Sequence, residues 1–572
     1  MKLINSRDLR VSPAWSIVWN PVKKLPANTT WQDDGIAIAQ ASPIFSPDGQ
    51  LAIVGDAFLT NRIALQQHLP GKSFAEDPQM GDLQLIAGLW QQFGIESVAR
   101  LCGTFAFAVW DRHQQKLWGV RDRVGAKTLY YNTSGSTVAI APRLKTLTPY
   151  RTDDLDLVAL RDYLCCAFVP GERTLWRQVR ELRPAEMLCL SREGESRQFY
   201  WQPQAKVCHA DRPVTWHAGE LRSLLEQVVQ DNLPSHQPVG AYLSGGLDSS
   251  CIVALASQFH DRPVHTYSIH FGADYPNELE FADRVARHCQ TQHRVLEITP
   301  DRVWEMLPVT MANLDDPIGD PLTVPNYLLG QIAGEEVSTI LNGEGGDPCF
   351  GGPKNKPMLL DAIYAGVATS TPPDLLSSYL SSYKKCFREL PQLLKPEILG
   401  AIASETSVFS PDLHSDTDYL NRLMLLNIKF KGADHILTKV NNLTSAAGLS
   451  GRSPLFDPRI VELSLQIPPY YKLAGAEEKA VLKSAVADLL PQEIVYRPKS
   501  GMRVPVSAWF YRFWRRRAKS LLLSRDAQIL TYFDRAVIGD WLEFRGDPWH
   551  RYGIKLWLLV SLEMWLQVHR SK

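Results

Sequence analysis

The sequence predicts two architectures in succession: an α+β layered domain built mainly on antiparallel sheets, then a parallel sheet wrapped by helices, with a mostly helical remainder. Short β-type runs parted by turn residues fill the first quarter of the chain. Farther on, apolar strand-like runs alternate with longer helical patterns, which is the signature of strand-crossover-strand units. With 572 residues, 45% of them hydrophobic, the chain can bury more than one core, and a small stapled scaffold is excluded.

Taken in order, the β-type runs are 35–41, 51–54, 105–109, 117–120 and 137–141, interrupted by one helical stretch at 83–93. Residues 1–201 form this first domain, which closes on the cluster Phe199-Tyr200-Trp201. The polar segment 202–213, with His209, Asp211 and Pro213, reads as a linker, and 214–572 as the second domain. There the strands fall at 239–243, 264–271 and 339–341 and the helices at 249–259 and 278–289; from about residue 357 helix dominates. The apolar stretch 553–568 carries Lys555 and Glu563 at helical spacing, so it reads as a packed terminal helix.

Composition excludes several classes. Lys and Arg number 61 against 61 Asp and Glu, a net charge of zero, which argues against a dedicated nucleic-acid binder. The nine cysteines are scattered, without a Cys-x-x-Cys pair, as expected of reduced cytosolic thiols. The histidines show no ligand spacing, so no transition-metal site is expected. Charges in the opening MKLINSRDLR break any secretory signal, and no window of about 18 apolar residues occurs; a cytoplasmic protein without membrane contact is expected. The run 510–519 mixes aromatics with bases and reads as an amphipathic helix with a solvated basic face.

The most informative run is 239–250. An apolar strand enters Leu243-Ser244-Gly245-Gly246-Leu247-Asp248-Ser249-Ser250, and a helix follows at once. Glycines let backbone N–H groups close on an anion, and a helix N-terminus adds unpaired donors and partial positive charge. The loop is shaped for phosphate. It lacks the Gly-Lys-Ser/Thr ending of a Walker loop and matches instead the type that splits ATP between the α- and β-phosphates. Asp248 would then hold Mg²⁺ against the departing pyrophosphate.

A second glycine-dense turn, 341–352, follows another short apolar strand. From the end of a neighbouring parallel strand, Asp347 could supply a second Mg²⁺ ligand and Glu344 could act as general base, since an attacking amine must lose a proton. Lys479 and Lys499 stand near the end of the chain, where cations could stabilise pyrophosphate.

Together these motifs resemble the asparagine synthetase B family, which also contains β-lactam synthetases and lasso-peptide cyclases. The resemblance spans nearly the whole chain. It rests on the phosphate loop, Thr266-Tyr267-Ser268, Asn277 to Ala282, Asp316 to Pro321, Gly343 to Asp347, Arg452 to Asp457 and the two lysine segments. It implies nucleotide contacts at Leu243 to Ser250, Ser268, Gly343, Gly345 and Gly346, metal at Asp248 and Asp347, catalysis by Glu344, Lys499 and Lys479, and ATP and Mg²⁺ as cofactors.

The first domain resembles the family's glutaminase, an Ntn-type αββα sandwich, most clearly at 101–111 and 121–131. The family's N-terminal Cys nucleophile is here Lys2. Its glutamine-holding Asn-Gly-Glu motif appears as Val54-Gly55-Asp56-Ala57, and its Ser-Asp-Thr-Glu segment as Gly81-Asp82-Leu83-Gln84. The domain is therefore expected to have lost ammonia production.

The acidic residue that asparagine synthetases carry before Arg-x-Pro is missing from Leu449-Ser450-Gly451-Arg452-Ser453-Pro454; the family's preceding Asp is Asn441, and its aromatic after Gly351-Gly352 is Pro353. β-Lactam synthetases carry Tyr at the position of Glu344. The combined expectation is a carboxylate-amine ligase that forms an amide, most characteristically an intramolecular macrolactam. Its substrate would be a small molecule or peptide bearing both groups, with a leader-peptide-binding or protease partner conceivable. The alternatives are an asparagine synthetase using free ammonia and a nucleotide-binding pseudoenzyme.

Overall fold

The computed structural model describes residues 15–19, 26, 28–69, 80–132, 137–352, 358, 374–475, 477–498, 501–547 and 550–570. They divide into two compact units. One comprises the described residues up to Leu155 together with Gly171–Pro203; the other comprises Asp156–Pro170 and Gln204–Lys572.

The first unit stacks two antiparallel sheets. Its strands are β1 (Ser16–Trp19), β2 (Thr29–Asp33), β3 (Ile36–Ala39), β4 (Ile44–Phe45), β5 (Leu51–Leu59), β6 (Gly103–Asp111), β7 (Lys116–Arg121), β8 (Tyr130–Asn132), β9 (Val138–Ala141), β10 (Arg180–Glu181), β11 (Glu186–Ser191) and β12 (Gly194–Phe199). They are ordered β10-β8-β9-β1-β3-β2 and β12-β11-β7-β6-β5-β4. Strand period decides which side chain enters which core. On β6, Ala106, Ala108 and Trp110 face the layer between the sheets, with Ile17, Ile38 and Ile140. Phe105, Phe107 and Val109 face the opposite way, onto Leu85, Ile86, Leu89 and Trp90 of the helix Asp82–Phe93.

Arg121 and Asp122 lie inside this unit. Arg121 pairs with Glu181 at 2.8 Å, and Asp122 accepts N–H groups from Val124, Ala126 and Lys127, so these two side chains fix the turn after β7. Burial pushes the Asp122 carboxyl up.

The second unit is built on an all-parallel five-stranded sheet. Its strands are β13 (Val239–Tyr242), β14 (His265–His270), β15 (Gln292–Glu297), β16 (Thr339–Leu341) and β17 (Ser450–Arg452), ordered β15-β14-β13-β16-β17. The chain leaves β13 toward β15, then returns to place β16 on the other side of β13. That reversal puts a crevice at the carboxyl ends of β13 and β16, where open α/β sheets bind ligands.

The terminal helix Tyr552–His569 is buried along most of its length. Its charges are neutralised in place: Lys555 pairs with Glu389 at 2.7 Å and Asp547 at 3.0 Å, and Glu563 accepts the N–H groups of Gln528 and Ile529. No helix among the described residues is long and apolar enough to cross a membrane. In the basic segment, Phe510, Trp514 and Ala518 are buried while Tyr511, Arg512 and Arg516 face outward.

The compact units divide the chain differently from the two predicted domains. Asp156–Pro170, within 1–201, packs with the second unit: Tyr163 donates to Leu558 O and Gly319 N–H to Ala167 O. The later part of the 202–213 segment, read as a linker, is fastened to the second unit. Cys208 N–H donates to Gln466 O, and the hydroxyls of Tyr470 and Tyr471 donate to Ala210 O and Arg212 O. The helix after β13 begins at Leu247, two residues earlier than expected, which moves Asp248 into its first turn.

Candidate active site

Two glycine-rich loops face each other at the crevice. The first leaves β13. Leu243 N–H continues the ladder onto Tyr267 O at 2.9 Å, and the Ser268 hydroxyl donates to Leu243 O, so β14 fixes where the loop departs. Gly245 then takes φ +74, a conformation where a side chain would be strained, and a Cβ there would lie 2.5 Å from Ala282 N. Ser244 N–H donates to the Ser249 hydroxyl at 3.1 Å, and the two hydroxyls are 3.0 Å apart. No side chain caps the helix Leu247–Phe259, so its first backbone donors remain available for an anion.

The second loop leaves β16 and enters the short helix Gly346–Phe350. It approaches the first loop so closely that a Cβ on Gly343 would sit 2.4 Å from Ser249 N, and one on Gly346 2.2 Å from Asp248 Oδ1. Glycine at these positions lets the two acidic side chains share one place.

Asp248 and Asp347 converge on Lys479. Its Nζ is 2.5 Å from Asp248 Oδ2 and 2.6 Å from Asp347 Oδ1, and the lysine is 2% exposed. Lys479 takes φ +57 at the head of the helix Ala480–Val486, so a non-glycine residue holds a left-handed backbone at this ion triad. Two carboxylates sharing a cation suit Mg²⁺, which is bound through one or two carboxylates together with substrate phosphates. Among the described residues no cluster of three or more His, Cys, Asp or Glu could hold a metal ion, so a divalent ion at this pair would need phosphate oxygens to complete its shell.

Glu344 sits on the same turn, half-buried, with its N–H donated to Asn342 Oδ1 at 3.0 Å. Nearby is a charged group that sequence reasoning did not single out. Lys439 Nζ is 2.7 Å from Asp320 Oδ2, and His435 Nε2 lies 3.6 Å from the same oxygen. Burial pushes Lys439 down, but Asp320 and then Glu344 outweigh it and hold the ammonium above its ordinary range. His435, stacked on Phe168, is pushed down by burial to about 4 and is neutral at physiological pH. Asp320 is pushed up by burial, yet Lys439 keeps it well below the usual carboxylate range.

Sequence reasoning also passes over Arg497 as a site residue. It lies 3.9 Å over the Phe281 ring, donates to Gly245 O and pairs with Glu278, clamping the phosphate loop from behind. No spacing rule joins positions this far apart. Lys499, expected to be catalytic, lies outside the described residues, as does Pro353. The other expected site residues lie on the two loops and β14, with Lys479 reaching in from the later helix.

A phosphate-shaped loop at a topological switch point, a shared acidic pair and the Glu344 carboxylate on the same turn suit an enzyme that activates a carboxylate with ATP and passes it to an amine. The comparisons agree. The family described as Asparagine synthase matches residues 220–567, and the Glutamine amidotransferase domain matches 35–201. The glutamine-hydrolyzing asparagine synthetase 1 of Bacillus subtilis (strain 168) is 25% identical over 561 residues, covering 93% of this chain and 87% of the relative. A putative glutamine-hydrolyzing asparagine synthetase of Mycobacterium bovis is 28% identical over 519 residues, covering 82% and 76%. The chain belongs to the asparagine synthetase family, and is an ATP-dependent amide ligase that forms AMP and pyrophosphate.

Proposed function

We propose that this ligase works without hydrolysing glutamine, and that the amine it consumes is carried by the carboxylate substrate itself, so that the product is a lactam or macrolactam. The observation that carries this reading is the Asp82–Arg62 ion pair of the first unit, at 2.9 Å. Asp82 lies in the segment that corresponds to the family's glutamine pocket, and its other oxygen accepts Leu59 N–H at 2.9 Å. Asp56, in the degenerate Asn-Gly-Glu position, is likewise taken by Lys127 at 2.6 Å. The ammonium of a zwitterionic glutamine could reach either carboxylate only by displacing its cation.

In the second unit the substrate carboxylate would attack the α-phosphorus while the backbone N–H groups of Gly245 to Ser249 and the helix N-terminus hold the leaving pyrophosphate. When bound, Mg²⁺ would sit on Asp248 and Asp347 and neutralise charge on that leaving group. Lys479 would turn from the two carboxylates to a phosphate oxygen. Glu344 would take the proton lost by the amine as it attacks the acyl-adenylate, with Lys439 offering an anionic substrate a counter-charge beside it.

Glu344 also favours a second reading, in which aspartate and free ammonia give asparagine, because asparagine synthetases share that residue. One experiment separates the two. MgATP and aspartate are supplied with ammonia in one tube and with glutamine in another, and AMP and asparagine are measured. No asparagine in either tube is the expected result; asparagine with ammonia alone supports the second reading, and asparagine with glutamine overturns the proposed loss of the glutaminase.

A further inference from the structure

Away from the phosphate loop, the second unit has a cavity of about 350 Å³ lined by Leu380, Lys384, Lys385, Phe387, Arg388 and Arg551. We propose that it binds a phosphorylated small molecule, at a site separate from the one that binds ATP. Four of its lining residues are cations and none is acidic. Two acids beside Arg551 already have partners: Glu389 pairs with Lys555 at 2.7 Å, with Arg551 3.6 Å away, and Asp547 pairs with Lys555 at 3.0 Å and accepts the Arg551 backbone N–H.

Two of the four cations carry charge that no acid among the described residues answers. Among the described residues neither Lys384 nor Arg388 forms an ion pair, and both are exposed. Arg551 Nε is buried with no hydrogen-bond partner among the described residues. Clustered cations in a concave wall focus a positive potential, and arginine forks match phosphate oxygens. Leu380 and Phe387 add the apolar wall that a nucleobase or sugar face requires, and the volume is at the lower end of small-molecule sites, about 300–1,000 Å³.

The backbone carries a second signal. Lys384 takes φ +55 just past the helix Leu375–Ser382, at a position where glycine is the unstrained choice. A lysine there spends backbone strain to place an ammonium at the rim. The competing account is that Lys384 and Lys385 only complement the negative end of that helix.

The two accounts part under titration. Full-length protein, its phosphate loop filled with α,β-methylene-ATP, is titrated calorimetrically with inorganic pyrophosphate. One further equivalent should bind, and Lys384→Glu with Arg388→Glu should weaken it at least about tenfold while the enzyme still forms AMP. Lys384→Gly, which relieves the backbone and removes the charge, should raise the melting temperature and still weaken binding. Absence of the extra equivalent in the unmodified protein, or equal binding by the variants, overturns the proposal.

Discussion

Lys479 reaches back 231 residues to set its ammonium 2.5 Å from Asp248, and holds Asp347 with the same nitrogen. The pair explains how two carboxylates can be brought onto facing loops: like charges this close are tolerable only with a cation between them. The lysine occupies the position that a divalent ion and pyrophosphate would contest.

Replacing Asp248 by Asn keeps the side-chain volume but removes the charge. AMP formation should fall by ~10³-fold, in the range seen when an electrostatic contact to a developing charge is lost. Circular dichroism should be unchanged. Undiminished turnover would refute a metal role for Asp248.

In the proposed mechanism Glu344 acts in the second half-reaction only. Glu344→Gln should therefore leave substrate-dependent exchange of labelled pyrophosphate into ATP nearly intact while abolishing amide formation. Loss of both half-reactions in parallel would place Glu344 in adenylation instead.

Gly346 tests how closely the loops must approach. In Gly346→Ala the new Cβ would lie 2.2 Å from Asp248 Oδ1, so the carboxylate must leave its place. Pyrophosphate release should fall at least ~10²-fold, comparable to a misplaced catalytic group. Gly219 gives the contrast: it lies in the helix Val214–Asn232, where an added methyl would meet nothing within 4 Å, and Gly219→Ala should stabilise by ~0.5–1 kcal/mol without altering rate.

Legibility in the sequence followed locality. The loop after β13 could be read because all its positions are consecutive, and β6 because Phe105 to Trp110 alternate between two apolar layers. Strand β15 was not readable: Gln292–Glu297 is an edge strand whose side chains are mostly exposed, so no apolar period marks it. The Asp320–Lys439 pair and the Arg497 clamp depend on tertiary packing across more than a hundred residues, which composition and spacing do not encode. The helix Leu157–Cys166 follows the same rule, because its membership of the second unit rests on partners such as Leu558 that lie far along the chain.

Lys472 gives a prediction about stability. It is fully buried, and its Nζ donates to Asn421 Oδ1 at 2.6 Å and to Ser464 O at 2.7 Å, both uncharged acceptors. Burial pushes the group down to about 7, against 10.5 for a free lysine. Between these values the unfolded chain binds a proton that the native chain has released, so stability should rise with pH across that window, and the penalty is complete below it. The contribution approaches ~1.4 kcal/mol per pH unit at its steepest. Lys472→Met removes the titration while leaving two acceptors unpaired, so its absolute stability mixes two effects. Its pH slope does not. Urea unfolding at pH 7, 8 and 9 should show the unmodified protein gaining stability over the variant at each step; parallel curves would mean that Lys472 stays charged in the folded state.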